Sequence, residues 1–224
     1  MKTRTTFAAF TLIEMLTVMA VIAVLASLVV SVNAFAHKKA ALVRAEAEIK
    51  TMSAACENYK GDFGNYPRDY EVNSDTDALC PVLHGNPADK GKMYAKACLV
   101  LYKAISGDAK AGTDPEPAAT KEDKPDGKPE TKGYCEFRPD QLHRNSNGEV
   151  EFIQDPFGNS YGYSTKGAAD EETYRQKILK LPSFPRPKNF GFSPNFDLWS
   201  TGGVVSDLSN DELNPVRKRW IKNW

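Results

Sequence analysis

The sequence predicts an α+β protein, with a long N-terminal helical spine packed on a small antiparallel sheet that forms a head. Three observations predict it. Met15 to Ala36 is a run of 22 residues without a charge. Beyond it, apolar residues recur every three or four positions as far as Tyr59. After residue 148 the pattern shortens to that of strands, with turn residues between them.

The apolar run comes first. From Phe10 to Ala36 it would be about 40 Å long as a helix, at about 1.5 Å per residue, and so long enough to span a bilayer. One acid, Glu14, sits near its start. A carboxylate in a membrane-length segment costs roughly 2.5 to 3.5 kcal/mol on insertion scales, so a partner charge is expected to offset it. Three other readings compete. A cleavable secretory signal would use Ala34-Phe35-Ala36 as its A-x-A site before His37, but the apolar core of such signals is usually about 7 to 15 residues. A plain single-span anchor explains the length and not the acid, and a buried soluble helix is the third. Basic residues flank both ends, Lys2 and Arg4 before and Lys38, Lys39 and Arg44 after, so charge does not choose an orientation.

The helix is expected to continue, because Leu42, Ala45, Ile49, Met52, Cys56 and Tyr59 form one stripe. Arg44, Glu46, Glu48, Lys50, Glu57 and Lys60 lie mostly off it, and Gly61, Gly64 and Pro67 supply stop signals. The spine therefore has a membrane-spanning half over 10–36 and an amphipathic half over 37–60. Residues 61–224 suit one head domain. Within it, 107–133 sets Pro115, Pro117, Pro125 and Pro129 among charged and small residues, which predicts a flexible surface insertion. Met93 to Ile105 reads as a second, short amphipathic helix. Glu149 to Ile153, the turn Asp155 to Ser160, and Tyr161 to Tyr163 read as strand, turn, strand. A helical stretch over Ala169 to Leu179 and a third strand over Phe196 to Trp199 follow.

Composition narrows the function. Lys and Arg number 29, as do Asp and Glu, for a net charge of zero, and the basic residues are dispersed, so no nucleic-acid partner is expected. Cys56, Cys80, Cys98 and Cys135 contain no C-x-x-C and no zinc spacing. In an exported head they could form disulfides, with three full pairings open. His37, His84 and His143 are scattered, and no nucleophile elbow, P-loop or H-E-x-x-H occurs; the expectation is a protein without a catalytic set.

The string Ala9-Phe10-Thr11-Leu12-Ile13-Glu14 resembles the cleavage and methylation motif of type IV prepilins and type II secretion pseudopilins. The resemblance implies that a prepilin peptidase removes a leader, 1–9, between Ala9 and Phe10 and methylates the new amine of Phe10. Glu14 is then the fifth mature residue. That family usually has Gly before the cut, where this chain has Ala9. The implied assembly residues are Phe10 and Glu14, the carboxylate pairing with the amine of its own chain or, the reading preferred here, of an incoming subunit.

Three later strings extend the resemblance. Asp155-Pro156-Phe157-Gly158-Asn159-Ser160-Tyr161 is similar to the D-P-W-G-x-P-Y element of type II secretion major pseudopilins, with Phe157 for Trp and Ser160 for Pro. Residues 196–202, Phe-Asp-Leu-Trp-Ser-Thr-Gly, resemble their D-L-x-S-x-G string, and Ile221-Lys222-Asn223-Trp224 resembles their I-x-N-W terminus. The resemblance implies a pilin-like fold and a structural subunit of a periplasmic pseudopilus, anchored singly in the inner membrane with its head in the periplasm. Implied partners are the prepilin peptidase, other copies of the chain, other pseudopilins, the inner-membrane assembly platform and membrane lipid. The alternatives are a type IV pilus subunit, in a cell-surface filament, and a membrane-anchored extracytoplasmic binding module. In those pseudopilins the loop after S-x-G holds calcium. Here Val204 stands at the first ligand place, and Asp207, Asn210, Asp211 and Glu212 are the candidate oxygen donors. A polar loop closed by turns and apolar contacts is the competing reading.

Overall fold

A computed structural model of the chain describes residues 11–69, 74–81, 91–108, 132–183, 185, 191–203 and 218–224, without the side chains of 28–34 and 91–93. Its first element, α1, runs from Leu12 to Phe63. It passes through Gly61 and stops at Gly64, whose φ of 78° ends the helix while its N–H caps Lys60 O at 2.7 Å. The chain divides into two compact units, 1–41 and 42–224, and α1 contributes to both. Among the described residues no helix is long and apolar enough to cross a membrane, the side chains of 28–34 lying outside the description.

In the second unit the expected stripe packs inward: Ala45, Ile49, Met52 and Cys56 are buried, joined by Ala55, while Leu42 and Tyr59 at its ends are half-buried. They meet α3, Gly91–Ser106, which buries Tyr94, Ala97, Cys98, Leu101, Tyr102 and Ile105 at the same helical spacing. The expected second helix is thus present and one turn longer. A single turn, α2 at Asp75–Ala78, precedes it, capped by Ser74, whose hydroxyl accepts from Asp77 N.

α3 also packs against the strands, Cys98 on Ile153 and Tyr94 on Trp199. A short 3-10 turn at Pro139–Gln141 leads into β1, Leu142–Arg144, which pairs antiparallel with β2, Val150–Ile153, setting Leu142 opposite Ile153. A second sheet has the order β3, Gly162–Ser164, then β4, Asp197–Ser200, then β5, Ile221–Lys222, all antiparallel. α4, Lys166–Lys180, fills the connection between β3 and β4. The strands expected on either side of 155–160 exist, but they belong to different sheets. Only one bridge, Gln154 to Ser160, joins them. The turn itself explains the split. Asp155 Oδ1 accepts the N–H groups of Phe157 and Asn159 at 2.9 and 2.8 Å, Gly158 sits at φ 88°, and the chain leaves in a new direction.

Trp199 fixes the second sheet. It is fully buried, donates Nε1–H to Tyr94 OH at 3.1 Å, and stacks on Trp220 with centroids 6.1 Å apart. Its ring lies over Gly162, where a Cβ would clash with Trp199 Cε2, so only glycine fits the opposite strand.

At the far end of the expected insertion, Lys132 and Gly133 are among the described residues. Tyr134 N–H and Cys135 N–H both donate to Ile105 O, at 2.7 and 2.9 Å, which closes its neck. Lys132 is held by Asp62 at 2.6 Å. Residues 109–131, on which the expectation of flexibility rested, lie outside the described residues.

Candidate functional site

The N-terminal unit carries the first candidate site. Thr11 precedes α1 and Glu14 is its third residue, the spacing of a capping box. Glu14 Oε2 accepts both Thr11 N–H and Thr11 Oγ–H at 2.8 Å, while Glu14 N–H donates to Thr11 Oγ1 at 3.3 Å. The acid therefore ends two orphaned donors of the helix start within its own chain. The T-x-x-E signature for this was in the sequence, where only a charge partner had been inferred. Both bonds fall on Oε2; Oε1 has no partner among the described residues and can still accept a bond from elsewhere.

Behind this cap the helix is apolar on every side. Leu12, Ile13, Leu16, Met19, Val21, Ile22, Val24 and Leu25 are all exposed, from 57% to 83%. The hydroxyls among them need no water: Thr17 donates to Glu14 O at 3.0 Å and Ser27 to Val24 O at 2.7 Å. A surface of this kind calls for lipid or neighbouring helices to cover it. Ala9 and Phe10, the expected processing residues, lie outside the described residues.

The expected calcium ligands Asp207, Asn210 and Asp211 lie outside them too. Thr201 Oγ1 is a buried oxygen without a hydrogen-bond partner among the described residues, and one hydroxyl falls far short of the six to eight oxygens calcium takes. The described residues assemble no group of three metal-ligating side chains. Asp155, the nearest buried acid of the turn, is already committed: Ser200 Oγ donates to its Oδ2 at 2.6 Å. Burial pushes its carboxyl above the usual range, with the Ser200 and backbone bonds pulling the other way.

In the head the structure corrects one reading. Glu48, placed off the apolar stripe from sequence, is 8% exposed and sits at the centre of a polar cluster. Its Oε2 accepts Tyr161 OH at 2.6 Å; its Oε1 accepts Arg44 Nε at 2.7 Å and Arg138 Nη2 at 3.3 Å. Arg44 reaches on to Asp140 at 2.7 Å. Burial, then the Glu48 carboxylate, keep the Tyr161 phenol protonated far beyond ordinary pH. These bonds hold a strap, residues 132–138, against α1. It starts with Lys132 and Tyr134 on Asp62, at 2.6 and 2.7 Å, and ends with Arg138 on Glu48. Between strap and helix lies a cavity of about 380 Å³ lined in part by Met52, Cys135 and Tyr161. The strap left no periodic mark in the sequence.

The three C-terminal strings singled out from sequence converge. Asp155 of the first meets Ser200 of the second, Trp199 pairs with Lys222 of the third, and Asn223 Oδ1 accepts Leu198 N–H at 2.8 Å.

An all-round apolar helix behind a threonine–glutamate cap, with an α+β head following in the chain, defines a subunit built for a membrane or a filament. Residues 4–30 match the family described as the prokaryotic N-terminal methylation motif, so the chain carries a prepilin-type signal, that of type IV pilin-like and pseudopilin subunits. Such a motif implies processing by a prepilin peptidase and assembly into multi-subunit filaments. No curated protein and no solved structure matches the chain significantly.

Proposed function

We propose that the chain is a structural subunit of a type II secretion pseudopilus, inserted by its apolar helix, trimmed before Phe10, and packed helix to helix with its head in the periplasm. Its work is assembly rather than catalysis. The methylation motif at 4–30 supports the subunit class. What favours the secretion machine over a pilus is the meeting of the three pseudopilin-like strings at one place in the head, through Asp155–Ser200 and the β4–β5 pairing. Residues that far apart in sequence have no local reason to resemble one family together.

In the assembled state the mature amine of one subunit would meet the Glu14 carboxylate of its neighbour. An uncompensated amine in lipid costs roughly 2.5 to 3.5 kcal/mol, about two orders of magnitude in association. Two variants separate this from capping. Glu14→Leu removes both charge and cap acceptor, whereas Glu14→Gln keeps an acceptor for Thr11 and loses the charge. Both are expected to insert and be cleaved, and both to fail in cross-linked filament yield. Normal yield from Glu14→Gln would make the residue a helix cap and nothing more. Deleting the gene should stop export of secreted enzymes; surface filaments seen by immunogold would instead favour the pilus.

A further inference from the structure

The strap and the helix beneath it have matching lengths. From Asp62 back to Glu48 the helix covers about 21 Å at about 1.5 Å per residue. From Lys132 to Arg138 an extended chain covers about 20 Å at about 3.3 Å per residue. The ends are pinned, Lys132 to Asp62 and Arg138 to Glu48, so the two run antiparallel in fixed register. Tyr134 confirms the register on the way, its ring edge-on to Tyr59 with centroids 5.8 Å apart. Cys135 lies midway along the strap, which sets it opposite residues 55 and 56 of the helix. Cys56 is there, fully buried, and Cys135 packs half-buried against the same apolar cluster. Burial, then the Glu57 carboxylate and the Cys135 sulfur, push the Cys56 thiol far up.

We propose that Cys56 and Cys135 are a disulfide pair that locks the strap onto α1 once the head meets an oxidising compartment. The location rests on the proposed extracytoplasmic head; the pairing does not. The oxidant is a disulfide of the thiol-oxidase or glutathione class. Cys135, the more accessible sulfur, attacks it as the thiolate and forms a mixed disulfide, releasing one thiolate. Cys56 gives up its proton and attacks Cys135 Sγ, forming the intramolecular bond and releasing the second thiolate. Two electrons pass to the oxidant, and its two sulfurs leave as thiols. Cys98 stands apart, its Sγ donating to Ile153 O at 3.7 Å and accepting Ile153 N–H at 3.3 Å between α3 and β2.

The test uses the full-length protein, purified reduced in detergent and incubated with oxidised glutathione. Trypsin releases Cys56 in the peptide 51–60. It releases Cys135 in 133–144, because the bond before Pro139 resists cleavage. The expected product is those two peptides joined, formed equally in Cys80→Ser and Cys98→Ser. Its melting midpoint should rise by on the order of 5 °C or more, since the bond closes a long loop in the unfolded chain, and Cys135→Ser should lose that gain. A different pairing, or none, overturns the proposal. A protein that oxidises to this pair in the tube but is isolated reduced from cells would count against the extracytoplasmic head and leave the pairing standing.

Discussion

Replacing Glu48 by Leu separates what a buried carboxylate contributes from what its volume contributes. Leu fills most of the space and accepts no hydrogen bond. Of the three donors it abandons, two have somewhere to go. Arg44 keeps Asp140 at 2.7 Å, and the Arg138 side chain is 60% exposed and can turn to water, so these two losses amount to about 0 to 1 kcal/mol. Tyr161 has no such exit. It is fully buried, and stranding its hydroxyl costs about 1 to 3 kcal/mol. The expected loss is about 1 to 4 kcal/mol, or roughly 2 to 16 °C in melting midpoint for a head of this size. Adding Tyr161→Phe removes the stranded group, and the double variant is expected to recover about 1 to 2 kcal/mol of the loss. The chain's three tryptophans, Trp199, Trp220 and Trp224, all lie in the head, so near-ultraviolet circular dichroism of the full-length protein follows the right unit. A double variant no more stable than Glu48→Leu would refute the assignment of the cost to Tyr161.

Two further outcomes follow from the second sheet. Burial pushes the Asp197 carboxyl up to about 6, against the pull of backbone N–H groups from Ser193 and Phe192. The folded value lies above the unfolded value of about 3.9, so this contribution to stability is complete below that value and is lost as pH rises through about 6. Roughly 2 to 3 kcal/mol is at stake, and subtracting the midpoint curve of Asp197→Asn from that of wild type should isolate a fall between about pH 4 and pH 7; parallel curves would exclude it. Gly162→Ala would drive a methyl into Trp199 Cε2. The ring must shift, at a cost of about 1 to 3 kcal/mol, with loss of the tryptophan dichroism; an unchanged spectrum and midpoint would mean the sheet has room that its geometry denies.

Regular elements were legible in proportion to their repetition. The spine and α3 carry several turns of apolar spacing, and β4 is bounded by turn residues, so each is placed within a few residues. β1 was not, because Leu-His-Arg offers three residues and no alternation; its identity comes from what β2 lays beside it. The pairing of β2 and β3 with different partners was hidden because strand order depends on which distant segment reaches an edge first. At the N-terminus the acid was legible as unusual, and its cap was legible too, since Thr11 and Glu14 stand three apart. Glu48 was misread because a charge suggests solvent, although its position three residues after Ala45 and four before Met52 already put it on the buried face. The strap has no signal of its own: its place is fixed by Asp62 and Glu48, 70 to 90 positions away.

Tyr134 and Cys135 share the carbonyl of Ile105, and that shared bond ties together the two ends of the chain between them. The entropy of joining two fixed ends grows only as the logarithm of what is strung between them. Splicing an epitope or a fluorescent reporter into 109–131 therefore raises the cost of closing that neck by only about 0.6 kcal/mol for each doubling of its length, which makes it the place to label the protein.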